Sequence, residues 1–336
     1  MKIRAVIRVM GFIAVAVGIA LLAPIGLAFY QNSPDLKSLL FSSAIPLLLG
    51  LAALVTTRGG RVDLGTKDGF AIVTFGWLAA ALFGALPYFL SGAIEDPASA
   101  FFESMSGFTT TGSTILTDIE AMPPSLLLWR SLTQWIGGMG IVVLSVAVLP
   151  MLGIGGMQLY RAEMPGPTND RLTPRIQSAA KTLWGIYLGL TVLCAGLLFA
   201  CGMSVFDAIN HAFCTIATAG FSTKNGSIGS FNSVYIEGVV IFFMLVSATN
   251  FSLHMWIFRR RAPRYFKNEE FRLLCVITLL AVTFIAALLY FRDDYAIGQS
   301  VRQSLFQVVS ILTTTGFGTA DYLSWGFGTH IVLFSL

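Results

Sequence analysis

Charge is what this sequence has least of: only 11% of its 336 residues are Asp, Glu, Lys or Arg, against about 25% in ordinary soluble domains. With 55% hydrophobic residues beside that shortage, the chain reads as an integral membrane protein rather than a water-soluble globule. Its formal net charge of +4 is too small to suggest a nucleic-acid partner. The four cysteines, Cys194, Cys201, Cys214 and Cys275, have no metal-ligand spacing and no paired framework, and read as small core residues. Gly137, Gly138 and Gly140, and later Gly153, Gly155 and Gly156, lack the strand-to-helix context and the Lys-Ser/Thr of a phosphate loop, so close helix packing or kinking is expected of them. No set of residues suggests hydrolysis or nucleophilic catalysis. A non-enzyme without a cofactor in this chain is expected.

What is present is a series of long apolar runs, at about 9–30, 38–57, 69–92, 125–152, 182–203, 233–258 and 271–291. Each is near or above the ~20 residues that cross a bilayer. The first follows Lys2, Arg4 and Arg8 but is longer than the roughly 7–15 apolar residues of a secretory signal, so it reads as a retained transmembrane helix. An eighth run begins near Phe327 and stops at Leu336, in mid-helix.

Orientation follows from the basic residues. Placing the N-terminus in the cytoplasm puts there Lys2, Arg4 and Arg8; Arg58, Arg61 and Lys67; Arg161, Arg171, Arg175 and Lys181; and Arg259, Arg260, Arg261, Arg264, Lys267 and Arg272. Lys37, Arg130, Lys224, Arg292 and Arg302 fall outside, which satisfies the positive-inside rule. The triple Arg259-Arg260-Arg261 is a cytoplasmic collar of that kind. The outer side is relatively acidic, a modest attraction for cations because salt screens surface charge within ~8 Å.

A repeat lies in the outer segments. Aligning Gly112, Gly220 and Gly316 superimposes DPASAFFESMSGFTTTG (96–112), SVFDAINHAFCTIATAG (204–220) and SVRQSLFQVVSILTTTG (300–316). Asp96, Ser204 and Ser300 stand at the start as helix N-caps. Phe101, Ile209 and Leu305 match as apolar residues, Met105, Phe213 and Val309 match four positions on, and Ser106, Cys214 and Ser310 are all small. That period is helical. Each stretch predicts a helix of about three turns followed by an extended Thr-x-Gly strand. Such a helix cannot span, and non-helical backbone at membrane depth must be buried in protein or line water, so the segments are expected to re-enter from outside.

An ion in a narrow filter exchanges its water for rings of backbone carbonyls, to which a threonine hydroxyl can be added. Glycine permits the positive φ that aims successive carbonyls at one axis. The short helix directs the negative end of its dipole at the ion. The expected filter segments are Thr110-Thr111-Gly112-Ser113, Thr218-Ala219-Gly220-Phe221 and Thr314-Thr315-Gly316-Phe317. Glu103, His211 and Gln307 share a polar column of the short helices and are expected to hydrogen-bond behind these segments. Arg130 and Glu237 begin the returning helices, where an interfacial salt bridge is expected; Asn250 and His254 lie within 233–258, facing neighbouring helices or an inner cavity.

The elements SGFTTTGST (106–114), RSLTQWIGGMGIVVL (130–144), RAEMPGP (161–167), TIATAGFST (215–223) and TTTGFGTADY (313–322) resemble the membrane subunit of the Trk/Ktr/HKT superfamily of potassium transporters, most of all its bacterial TrkH-type branch. The resemblance covers essentially the whole chain. It implies an all-α integral membrane fold in which potassium-channel-like repeats of helix, pore loop and helix surround one central pore. Here that means a two-helix hairpin (1–60), pore repeat 1 (61–157), pore repeat 2 (158–262) and an incomplete pore repeat 3 (263–336). The family's fourth repeat is absent from this sequence, which is expected to be C-terminally truncated, with three of four repeats present. The resemblance also implies selectivity glycines at Gly112, Gly220 and Gly316, and potassium preference where Gly112 stands in place of serine. It implies K+ as the transported ion held at the filter residues, a bacterial inner membrane location in the lipid bilayer, a homodimer, and a cytoplasmic nucleotide-binding (NAD/ATP) regulatory subunit of the TrkA/KtrA type. Two other readings stay open: a relaxed filter that also passes sodium, and an ion-coupled carrier, against which the parallel repeats and uncharged filter segments count. A membrane scaffold whose loops only pack is a third.

Overall fold

The computed structural model describes residues 3–58, 66–148, 172–251, 253–254, 266–292 and 294–336. The chain forms two compact units, Met1–Lys181 and Thr182–Leu336, and its described elements are helices and turns.

The first unit opens with α1 (Ile3–Ala20), α2 (Leu22–Tyr30) and α3 (Leu36–Thr56). The expected run 9–30 is therefore both longer and interrupted. Arg4 and Arg8 are compatible with helix, so the helix begins before the apolar stretch does; Pro24 offers no N–H to the Ala20 carbonyl, and the ladder slips at Leu21. Small residues bring α1 and α3 together: a Cβ on Gly50 would lie 2.7 Å from the Gly11 carbonyl oxygen, and the Ser43 hydroxyl donates to the Gly18 carbonyl at 2.8 Å. This is the close approach by which membrane helices gain contact without a hydrophobic drive.

Next come α4 (Thr66–Leu90), the short α5 (Pro97–Phe108) and α6 (Pro124–Val148), with α5 packed on both its neighbours. Two glycines make room for it. A Cβ on Gly137 would lie 2.0 Å from the Phe108 carbonyl oxygen, and one on Gly84 would lie 2.5 Å from the Phe108 ring. Gly137 thus serves helix packing, as its sequence context suggested; Gly153, Gly155 and Gly156 lie outside the described residues, as do the 161–167 segment and Arg259-Arg260-Arg261.

From Thr182 onward, α7 (Leu172–Ala200) belongs to the second unit, followed by α8 (Val205–Ile216), α9 (Val234–Ala248), α10 (Glu269–Arg292), α11 (Ile297–Leu312) and α12 (Phe327–Ser335). α9 packs against α8 and α11, and α10 against α11 and α12. Ile285, Leu289, Val308, Trp325 and Leu333 form the buried cluster that joins α10, α11 and α12.

Among the described residues, Ile3–Tyr30, Leu36–Thr56, Lys67–Leu90, Lys181–Ala200 and Glu269–Arg292 are long and apolar enough to cross a membrane. The span expected at 125–152 is described only to Val148. The run expected at 233–258 is interrupted: α9 ends after 15 residues, Thr249 takes extended backbone with φ −78° and ψ 142°, and helical backbone resumes at Phe251, with 255–258 outside the described residues. No proline or glycine marks that position, so hydropathy ran through it. The cysteine reading is also corrected in part, because Cys194 and Cys214 are buried while Cys275 is exposed on α10.

Candidate functional site

Each short helix begins where polar groups can cap it. The Asp96 carboxylate accepts from the Ser99 N–H at 2.8 Å, and the Ser204 hydroxyl accepts from the Asp207 N–H at 3.0 Å. Ser300 is not the third cap: α11 starts one turn earlier, after Ala296, and the Ser300 hydroxyl bonds back to the Ala296 carbonyl at 3.1 Å. A serine can serve either role, and the alignment could not separate them.

All three helices end alike. In the first, the Thr110 N–H donates to the Gly107 carbonyl at 3.0 Å and the Thr111 N–H to the Ser106 carbonyl at 2.9 Å. The second repeats this with Thr218 to Thr215 at 3.1 Å and Ala219 to Cys214 at 3.0 Å, and the third with Thr314 to Ile311 and Thr315 to Ser310, both 2.9 Å. This crossed pair is a Schellman cap, whose hinge residue must be left-handed. The hinge is normally glycine. Here it is Thr110, Thr218 and Thr314, with φ of 56°, 49° and 57°. Two residues on, Gly112, Gly220 and Gly316 are left-handed again, with φ of 75°, 80° and 83°. The expected extended strand is therefore a turn that alternates in backbone sign, because capping the helix needs one left-handed residue and the glycine supplies a second.

The hydroxyls divide into two sets. Thr109 donates to the Met105 carbonyl at 2.7 Å and pairs with Thr111 at 2.8 Å; Thr313 donates to the Val309 carbonyl at 2.7 Å and pairs with Thr315 at 2.8 Å. The second turn has alanine at both places, Ala217 and Ala219, so the pair is kept or lost as a unit. The Ser106 and Ser310 hydroxyls donate to the Ser113 and Phe317 carbonyls at 2.6 and 2.7 Å, fixing the residue after each glycine to the helix behind it. Cys214 takes the equivalent position in α8, and Phe221 is buried.

The polar column does bond behind the turns. Glu103 accepts from the Thr114 hydroxyl at 2.9 Å, the Ile115 N–H at 3.1 Å and Arg130 Nε at 2.8 Å. His211 donates from Nδ1 to the Asp207 carbonyl at 2.8 Å, which leaves Nε2 to accept from the Ser222 hydroxyl at 2.9 Å. Gln307 donates to the Ala320 carbonyl at 3.3 Å. Each holds main chain or side chain two to four residues past Gly112, Gly220 or Gly316. The salt bridges differ from the interfacial picture: Glu103–Arg130 is sealed, with side chains 0% and 1% exposed, while Glu237 takes a two-pronged bond from Arg302, at 2.6 and 2.7 Å, tying α9 to α11. That second bond, assisted by charge, holds the Arg302 guanidinium above its ordinary range.

Residues 37–335 match the family model described as TrkH, cation transport protein. The chain belongs to the TrkH family. It is 42% identical over 337 residues to the Trk system potassium uptake protein TrkH of Halomonas elongata, covering 99% of this chain and 70% of that protein. Against the Trk system potassium uptake protein TrkH of Escherichia coli K12 the identity is 40% over 332 residues, covering 97% and 68%. The crystal structure of the potassium transporter TrkH from Vibrio parahaemolyticus matches with a TM-score of 0.89 at 36% identity, covering 99% of this chain and 69% of that one. This TrkH-family chain is thus an all-helical, multi-pass membrane protein.

Reading the sequence missed Arg302, whose partner lies 65 residues away, and the left-handed threonines of the TrkH-family turns. A β-branched residue gives no sequence signal for φ above zero.

Proposed function

We propose that this chain takes up potassium across the bacterial inner membrane, conducting K+ through a filter built from its Thr-x-Gly turns. The observation that carries the reading is the threefold recurrence of one left-handed, helix-capped turn in a member of a cation transport family. The carbonyls of Thr110, Thr111, Gly112, Thr218, Ala219, Gly220, Thr314, Thr315 and Gly316 ligate the dehydrated ion. The hydroxyls of Thr110, Thr218 and Thr314, which hydrogen-bond to none of the described residues, add further oxygens. Ser113, Phe221 and Phe317 anchor the turns; two of their carbonyls are already engaged from behind. Holding a β-branched residue left-handed costs roughly 1–2 kcal/mol, and three such residues argue that the side chain itself is wanted there.

The chain is organised as a hairpin (1–60) and pore repeats over 61–157, 158–262 and 263–336, with the N-terminus cytoplasmic. It works as a homodimer with a cytoplasmic nucleotide-binding subunit of the TrkA/KtrA type on its inner loops. It is a transporter rather than an enzyme, and K+ is cargo. The test is potassium-dependent growth of an uptake-deficient strain expressing the full-length gene. Rescue at low external potassium is expected; sodium competing on equal terms overturns the potassium-selective version, and absence of rescue overturns the function.

A further inference from the structure

α9 breaks after Ala248, about 22 Å from its start at 1.5 Å per residue, before the ~30 Å depth of a hydrocarbon core is reached, and helical backbone resumes at Phe251. Kinks of this kind need a cause, and neither proline nor glycine supplies one in Ser247-Ala248-Thr249-Asn250. The cause is visible in the hydrogen bonds. In an unbroken helix the Val246 carbonyl accepts from the Asn250 N–H. Here it accepts from the Thr249 N–H at 3.2 Å and from His254 Nε2 at 3.1 Å. A carbonyl can only accept, so Nε2 carries the proton. The Thr249 hydroxyl caps the Leu245 carbonyl at 2.8 Å, and the Leu253 N–H bonds the Asn250 carbonyl at 2.8 Å where the helical turn restarts.

The imidazole is braced. The Phe251 ring meets it edge-on with centroids 5.4 Å apart, and Phe251 leans on Tyr187 of α7 at 5.8 Å. Thr249 and His254 are both 5% exposed, whereas Asn250 is exposed. The Ser247 hydroxyl, buried at this turn, has no partner among the described residues. Non-helical backbone and an exposed amide at membrane depth are tolerated where they line water.

We infer that His254 is a positioning residue for ion passage: its ring stands in for a main-chain donor and keeps α9 open at Thr249–Asn250, so that polar backbone lines the inner part of the transport path. The inference rests on the potassium-conducting reading above. Without the ring, the Val246 carbonyl recovers the Asn250 N–H and the helix runs on. Apolar side chains then face the path, and such constrictions close by dewetting.

The test compares the full-length protein with His254→Leu and His254→Gln in liposomes, by rubidium uptake and by hydrogen–deuterium exchange of the peptide covering Val246 to His254. His254→Leu is expected to slow exchange there at least tenfold and to cut uptake at least tenfold. His254→Gln, which keeps an N–H donor, is expected to retain native exchange and most uptake. Native exchange and uptake in His254→Leu, or failure of His254→Gln to restore them while His254→Leu remains folded elsewhere by exchange, overturns the role of the ring. No rubidium uptake by the native protein would instead overturn the conducting reading, and exchange in the two variants would still judge the helix break.

Discussion

Gly220 stands against the Thr315 carbonyl so closely that a Cβ on it would lie 2.1 Å from that oxygen. Gly316 is equally left-handed, with φ 83°, yet a Cβ there would meet nothing within 4 Å. The two glycines are therefore required for different reasons. Gly316→Ala meets only the left-handed penalty, roughly 1–2 kcal/mol; Gly220→Ala must also push the main chain of the neighbouring turn. Rubidium uptake with sodium competition should show a potassium preference reduced at least tenfold in Gly220→Ala and a smaller loss in Gly316→Ala. Equal behaviour of the two variants would show that the Gly220–Thr315 contact does not set the filter.

The two ion pairs should separate in the same way. Glu103–Arg130 is sealed from solvent, so removing one partner leaves a buried charge and costs about 3–5 kcal/mol. Arg302 keeps 37% of its side chain exposed although Glu237 keeps only 5%, so its loss should cost less, about 1–3 kcal/mol. Melting in detergent is expected to fall further for Glu103→Gln than for Arg302→Gln. The double variant Glu103→Leu/Arg130→Met should recover part of the loss, because it leaves neither charge unpaired. A melting temperature for Glu103→Gln within a degree or two of native would contradict the sealed pair.

These contrasts also mark what could be read without the structure. The short helices were legible because two signals coincided: a helical apolar period at Phe101 and Met105 and at Ile209 and Phe213, and caps at Asp96 and Ser204. The polar column was legible because Glu103, His211 and Gln307 fall in register. The conformation of the turns was not. Helix capping imposes φ above zero on Thr110, Thr218 and Thr314 from the residues before them, and threonine would predict extended chain. The break after Ala248 was hidden for a related reason: the His254 side chain, eight residues beyond the Val246 carbonyl it bonds, replaces a main-chain donor, which periodicity cannot show.

Acid should loosen the first short helix. The Ser99 hydroxyl and N–H hold the Asp96 carboxyl below its ordinary range. A carboxyl depressed on folding stabilises at pH values above its unfolded range, and that contribution is lost as pH falls through the folded value. Asp96→Asn does not titrate. Melting temperatures of the native protein and Asp96→Asn, followed downward from neutral pH, should therefore converge below the usual carboxylate range. A difference that stays constant with pH would mean the charge of Asp96 is irrelevant to the cap.

The left-handed threonines allow stability and transport to be moved in opposite directions. Thr314→Gly removes a penalty of roughly 1–2 kcal/mol in the folded chain and adds about 0.5–1 kcal/mol of unfolded-state freedom, so the variant should melt at or slightly above the native temperature. If strain were tolerated there only for want of a better residue, transport would be untouched. If the hydroxyl ligates the ion, rubidium uptake should fall at least tenfold in Thr314→Gly and return in Thr314→Ser, which restores the oxygen without the β-branch. The same pair of substitutions at Thr110 and Thr218 should give the same pattern, since the three residues share one backbone conformation. Full uptake in all three glycine variants would show that main-chain carbonyls alone hold the ion and would leave the threonines to capping.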